Sequence, residues 1–190
     1  MKSLKPITRI LVGVSAVTLV ATLFVPLWQI LMWAPQYPEG LEMKIWYNTL
    51  SGEVRTISAL NHYIGMRTIE PSMFPEFGYI GYIIGFIMAF GLASVIINKR
   101  FMLVSFLILI LATGFGALID FYLWGYDYGH NLNPEAPIKI EGMSYQPPLI
   151  GTKQLLNFTA FSGPDIGGWI FIAIGILLFG LLVYEWKKNK

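Results

Sequence analysis

The sequence predicts an all-α membrane protein of four transmembrane helices, with two extracytoplasmic loops forming a small cap (a short β-hairpin plus a short helix). Three observations predict it. Of 190 residues, 55% are hydrophobic and 13% charged, against roughly a quarter charged in soluble domains. Four apolar stretches are long enough to cross roughly 30 Å of hydrocarbon, which needs about 20 helical residues. Lys and Arg concentrate in the short segments on one side of these stretches. The composition excludes a disordered chain, a nucleic-acid binder and an ordinary cytosolic enzyme. The absence of cysteine excludes disulfides, thiolate metal sites and iron–sulfur clusters. The chain reads as one integral membrane domain over 1–190.

The spans fall at about 10–33, 78–97, 101–124 and 166–184. Lipid offers no partner for backbone N–H and C=O, so each is expected to be helical. The first is too long for a secretory signal and no small-residue cleavage site comes after it, so it reads as uncleaved. Trp28 and Trp33 read as its interfacial anchors. Pro26 is expected to kink its outer end. In span two, Gly81, Gly85, Ala89 and Ala93 repeat every four residues, which suits close helix packing.

Orientation is set by charge. Lys2, Lys5 and Arg9 precede span one, Lys99 and Arg100 fill the turn after span two, and Lys187, Lys188 and Lys190 end the chain. The positive-inside rule places both termini in the cytoplasm and the long loops, 34–77 and 125–165, outside. Those loops are together net acidic. The expected address is a bacterial inner membrane, with the working face outside. The cytoplasmic segments are too short for a nucleotide site, and no phosphate-cradling glycine loop occurs.

In the first loop, Leu41, Met43, Ile45 and Tyr47 alternate with Glu42, Lys44 and Trp46, the period of a half-buried strand. Ser51-Gly52 supplies a turn, and 54–57 reads as a return strand. Ser58 then reads as the N-cap of a short helix over 59–64, stopped at Gly65. The second loop is rich in Pro, Gly and Asn and reads as largely irregular, with a short helix near 153–158. Its aromatics, among them Tyr128, Tyr145 and Phe158, favour packing against the first loop.

Several residues carry possible chemistry. His62 and Met66 are four apart, so one helical turn brings imidazole and thioether together, a set that suits copper. Gly65 interrupts that turn; the plainer reading is a structural His beside a packed Met. Asp120 shares a face with Gly116 and Ala112 and so is expected to point inward, where an acid is a functional candidate. The alternative is a helix-end acid that reaches water. Asp127 and His130 come next, and His130 approaches His62 if the loops pack together. Met43, Met66, Met73 and Met143 lie in the outer loops as soft ligands or as core fillers. The candidate metal set is therefore His62, Met66, Asp120, Asp127, His130 and Met143. No nucleophile arrangement or carboxylate pair suits an enzyme. No His lies inside a span, so no haem is expected.

Four strings are distinctive: Ala34-Pro35-Gln36-Tyr37-Pro38-Glu39-Gly40-Leu41, Leu60-Asn61-His62-Tyr63-Ile64-Gly65-Met66, Tyr126-Asp127-Tyr128-Gly129-His130 and Tyr145-Gln146-Pro147-Pro148-Leu149-Ile150-Gly151. They resemble a family of small four-span membrane proteins of Bacteroidetes and related bacteria, which occur alongside accessory proteins of nitrous-oxide reductase gene clusters. The resemblance touches both long loops and the helix ends beside them. It implies association with an exported copper enzyme of denitrification and with its maturation. Three functions are then expected in turn. The first is an accessory factor that handles copper or docks partners. The second is a scaffold subunit of a membrane complex, such as an ABC-type permease, without metal. The third is a quinol or redox component with Asp120 beside its pocket.

Overall fold

The computed structural model describes residues 3–138, 142 and 144–187. Four of its helical segments, Pro6–Leu23, Ile80–Ile97, Arg100–His130 and Ile166–Lys187, are long and apolar enough to cross a membrane. Large apolar side chains such as Ile10, Phe86, Ile96, Phe115 and Phe179 face outward from them. Helices apolar all round are those that meet lipid or a large core. By this measure the chain is a multi-pass membrane protein.

The first segment is helix α1, Pro6–Thr18, tightened into a 3-10 turn over Leu19–Leu23. Its 13 α-helical and five 3-10 residues rise about 30 Å. The first span therefore ends at Leu23 and not at residue 33. Pro26 has no N–H to continue the helix, and the chain passes into strand β1, Trp28–Ala34. In β1, Ile30, Met32 and Ala34 are buried while the residues between them are more open, the period of a strand. Trp28 and Trp33 are thus sheet residues. The Trp28 indole donates to Ser162 Oγ at 2.8 Å. The Trp33 ring lies over Gly40, whose φ is +89° and whose added Cβ would fall 2.8 Å from Trp33 Nε1.

The chain continues through β2, Tyr37–Ile45, and β3, Leu50–Gly52, into helix α2, Val54–Tyr63. Residues 54–57 open α2 and are not a return strand. Glu53 closes the sheet there: its N–H donates to Glu42 O at 2.7 Å, and its carboxylate accepts from Glu42 N at 2.8 Å. Ser58 lies inside α2, where its Oγ accepts from Ile69 N at 2.7 Å and anchors the returning chain. Gly65, at φ +86°, ends α2 as expected. Two 3-10 turns lead to α3, Ile80–Ile97.

Helix α4, Arg100–His130, has 31 residues and a length of about 46 Å. It does not stop at 124. It outruns a bilayer's hydrocarbon, and its last turns carry Trp124 and Tyr128 into the cap. The second loop is not irregular to its end. Residues 153–158 form no helix; β4, Gly151–Leu155, and β5, Phe158–Pro164, make a hairpin that turns at Leu156 and Asn157. Helix α5, Ile166–Lys187, ends the described chain.

The five strands form one antiparallel sheet in the order β3-β2-β1-β5-β4. The chain is therefore mostly helical but not all-α. Its cap is a sheet in which β1, from the end of the expected first span, joins strands of the two long loops, with α2 as its short helix. One apolar core fills the bundle around Phe106, Leu103 and Leu178, and a second fills the cap around Ile57, Met43 and Tyr128. The stripe at Gly81, Gly85, Ala89 and Ala93 is not one continuous seam: an added Cβ on Gly81 would lie 3.1 Å from the Tyr47 ring, but Gly85 has open space beside it and Ala89 is exposed. Close approach occurs at Gly91, where an added Cβ would lie 2.7 Å from Ala16 Cβ and from the Phe106 ring.

Glu185 locks the end of the bundle opposite the cap. It is 1% exposed and accepts from Lys5 N at 2.9 Å and from Thr8 Oγ1 at 2.7 Å. Arg100 reaches the same carboxylate at 3.5 Å and the Glu185 backbone carbonyl at 2.7 Å. α1, α4 and α5 are joined there, and the basic residues Lys5, Lys99 and Arg100 share that end.

Candidate functional site

The cap interior is where the long loops converge. Met32 on β1 pairs with Leu41, and Ile30 pairs with Met43 on β2. Met32 and Met43 are therefore diagonal neighbours on one face of the sheet, a spacing of about 7–8 Å that long side chains bridge. Met66 enters from the other side, just beyond the Gly65 stop, with its N–H on Asn61 O at 3.1 Å. The three are 8%, 3% and 5% exposed.

Aromatic rings close the chamber. Trp124 stacks on Tyr128 with centroids 4.8 Å apart, both on the projecting end of α4. The Tyr128 hydroxyl donates to Arg67 O at 2.8 Å and accepts from Asn61 Nδ2 at 3.2 Å. Tyr145 is held by its own N–H on Gly129 O at 2.9 Å. That contact needs glycine: a Cβ on Gly129 would lie 2.3 Å from Gln146 N. These groups line a half-open pocket of about 50 Å³, bordered also by Ile57, Ile69 and Phe158. Two of its wall residues carry a buried donor with no hydrogen-bond partner among the described residues, Trp124 Nε1 and Tyr145 Oη. Such a donor costs about 1–3 kcal/mol.

The residues singled out in the sequence fall in different places. His62 is exposed on α2 while Met66 is buried, so Gly65 turns the two to different sides. Asp127 and His130 lie on α4 and not in a loop. Asp127 pairs with Arg67 at the surface. His130 is exposed, stacked on Tyr126 at 4.0 Å, with Nδ1 2.8 Å from Tyr126 O. Asp120 is exposed on α4 and does not point into the bundle. Met143 lies outside the described residues. Among the described residues, no three His, Asp or Glu side chains gather as a metal site would need. Sequence reasoning misses Met32 because hydropathy alone assigns it to a helix. The stretch 28–34 is apolar at every position but Gln29, so its alternation shows only in the burial of the folded strand, and Pro26 is the one local sign of a break.

The fold and chamber define a class, a membrane-spanning bundle that carries a folded, methionine-lined cap. Comparison with family models, curated proteins and solved structures finds no match.

Proposed function

We propose that this protein is a membrane-anchored accessory factor for an exported copper enzyme of the nitrous-oxide reductase type. It handles copper, or docks the enzyme and its delivery partners, through the cap. One observation supports this reading: three of the four distinctive strings supply wall residues (Asn61, Ile64 and Met66; Tyr128; Tyr145 and Pro147) to a chamber also lined by Met32 and Met43, and the first string puts Leu41 into the same cap core. The basic end of the bundle lies in the cytoplasm and the cap on the exported side of a bacterial inner membrane. The protein positions and hands over; it is not a catalyst.

The test is deletion of the gene in a host that makes the copper enzyme. The exported enzyme is expected to accumulate with much less copper per chain than in the parent, measured on the purified enzyme. Full copper loading in the deletion strain would remove the reading. A metal-free scaffold role has its own support, since Trp33 is exposed on the sheet face opposite the chamber. That role predicts loss of a membrane complex on deletion, with copper loading of the surviving enzyme unchanged.

A further inference from the structure

We propose that the cap chamber is a Cu(I) site whose ligands are the thioethers of Met32, Met43 and Met66. The inference rests on the copper-handling half of the proposed function and names its oxidation state and ligands.

The donor set comes first. Among the described residues, three methionines line this one cavity. Its wall holds, among the described residues, no carboxylate, imidazole, ammonium or guanidinium. Hard divalent ions find no anionic oxygen there, whereas neutral thioether sulfur selects Cu(I). The placement comes second. Two sulfur-bearing side chains rise as diagonal neighbours from adjacent strands, and the third enters from beyond α2. The ion is therefore approached from two elements of the fold, which leaves the long side chains free to converge.

The alternative role of methionine is to fill gaps in an apolar core. Here three flexible side chains border a space of about 50 Å³ that they do not fill. Among the described residues, Trp124 Nε1 and Tyr145 Oη on the same wall have no acceptor. A finished apolar core has neither feature. A water-sized centre needs about 10–15 Å³, so the chamber has room for an ion and a water beside it.

The experiment is an anaerobic Cu(I) titration of the full chain in detergent against a chromogenic Cu(I) chelator. Wild type is expected to take one Cu(I) per chain. Each of Met32→Leu, Met43→Leu and Met66→Leu is expected to weaken binding at least tenfold, and the triple variant to abolish it. These swaps nearly conserve volume, and unchanged thermal unfolding checks the fold. The His62→Ala/His130→Ala double variant is expected to bind as wild type does. Copper-edge X-ray absorption of the loaded wild type needs no variant and is expected to show sulfur as the dominant neighbour. Nitrogen-dominated ligation, or full binding in the triple variant, overturns the chamber site. If the histidine variant alone loses copper, the chamber is wrong and surface copper handling stands. If wild type takes no Cu(I), the chamber site fails, and the accessory function is judged separately by copper loading in the deletion strain.

Discussion

Gly129→Ala tests whether the second loop is held by close backbone contact with α4. The added methyl would lie 2.3 Å from Gln146 N, 2.4 Å from Gln146 Cα and 2.8 Å from Tyr145 C. All three are backbone atoms, so no side chain can rotate away. Overpacking of this kind costs about 1–3 kcal/mol. Loss of the 2.9 Å bond from Tyr145 N to Gly129 O adds about 1 kcal/mol. Alanine returns roughly 1 kcal/mol through better helix propensity. The net local destabilisation is then about 1–3 kcal/mol, or roughly a 5- to 150-fold rise in local opening where exchange reports it. Hydrogen exchange read by mass spectrometry should show this at Tyr145–Gln146 and leave α3 and α5 protected as before. Gly85→Ala is the matched control, because nothing lies within 4 Å of its added methyl. Equal protection of the Tyr145 amide in wild type and Gly129→Ala would refute the packing argument.

Three further outcomes are expected. Thr8→Val keeps the shape of a buried side chain but removes its bond to the Glu185 carboxylate; a bond to a charged group contributes about 1.5–3 kcal/mol, so detergent thermal unfolding should shift down, and an unchanged midpoint would count against the lock. Arg67→Ala and Asp127→Ala remove an ion pair whose side chains are 48% and 52% exposed; a double-mutant cycle should give a coupling below about 1 kcal/mol that shrinks with salt. Gly52→Ala forces a side chain onto φ +88° with its Cβ 2.2 Å from Glu42 O; it should loosen β3 and the start of α2, seen as faster proteolysis of the cap, while intact resistance would contradict it.

Lipid decides how much of this fold is legible in the sequence. A span must be contiguously apolar, so all four are visible from hydropathy. Their ends are not, because a window of apolar residues does not separate a helix from a buried strand. Trp28–Ala34 is apolar enough to extend span one, yet its burial alternates, and Pro26 marks the break. The opposite error arises in α4. Tyr126 and Tyr128 resemble loop residues, but Phe121, Trp124 and Tyr128 recur at helical spacing and give the cap a face to pack on. The hairpin β4–β5 is hidden for another reason. Its second strand, β5, pairs along β1, and no local pattern reports a partner so far away in sequence. The same distance divides the candidate site. Met43 and Met66 are visible as loop methionines, whereas their grouping with Met32 exists only once the sheet is assembled.

The pairing of β1 with β5 also sets an order of assembly. Trp28 opposes Pro164, and Asp165 N reaches Leu27 O at 3.2 Å, so the first span and the last run directly into neighbouring central strands. Synthesis proceeds from the N-terminus. β1 therefore emerges with β2 on one side and an unpaired edge on the other until the second loop has been made. An open edge of this kind invites pairing with a foreign strand. The cap is thus a late product of biogenesis, completed only when the chain's final quarter arrives. A nascent chain stalled before residue 158 would present, beside the membrane, a strand still waiting for its neighbour.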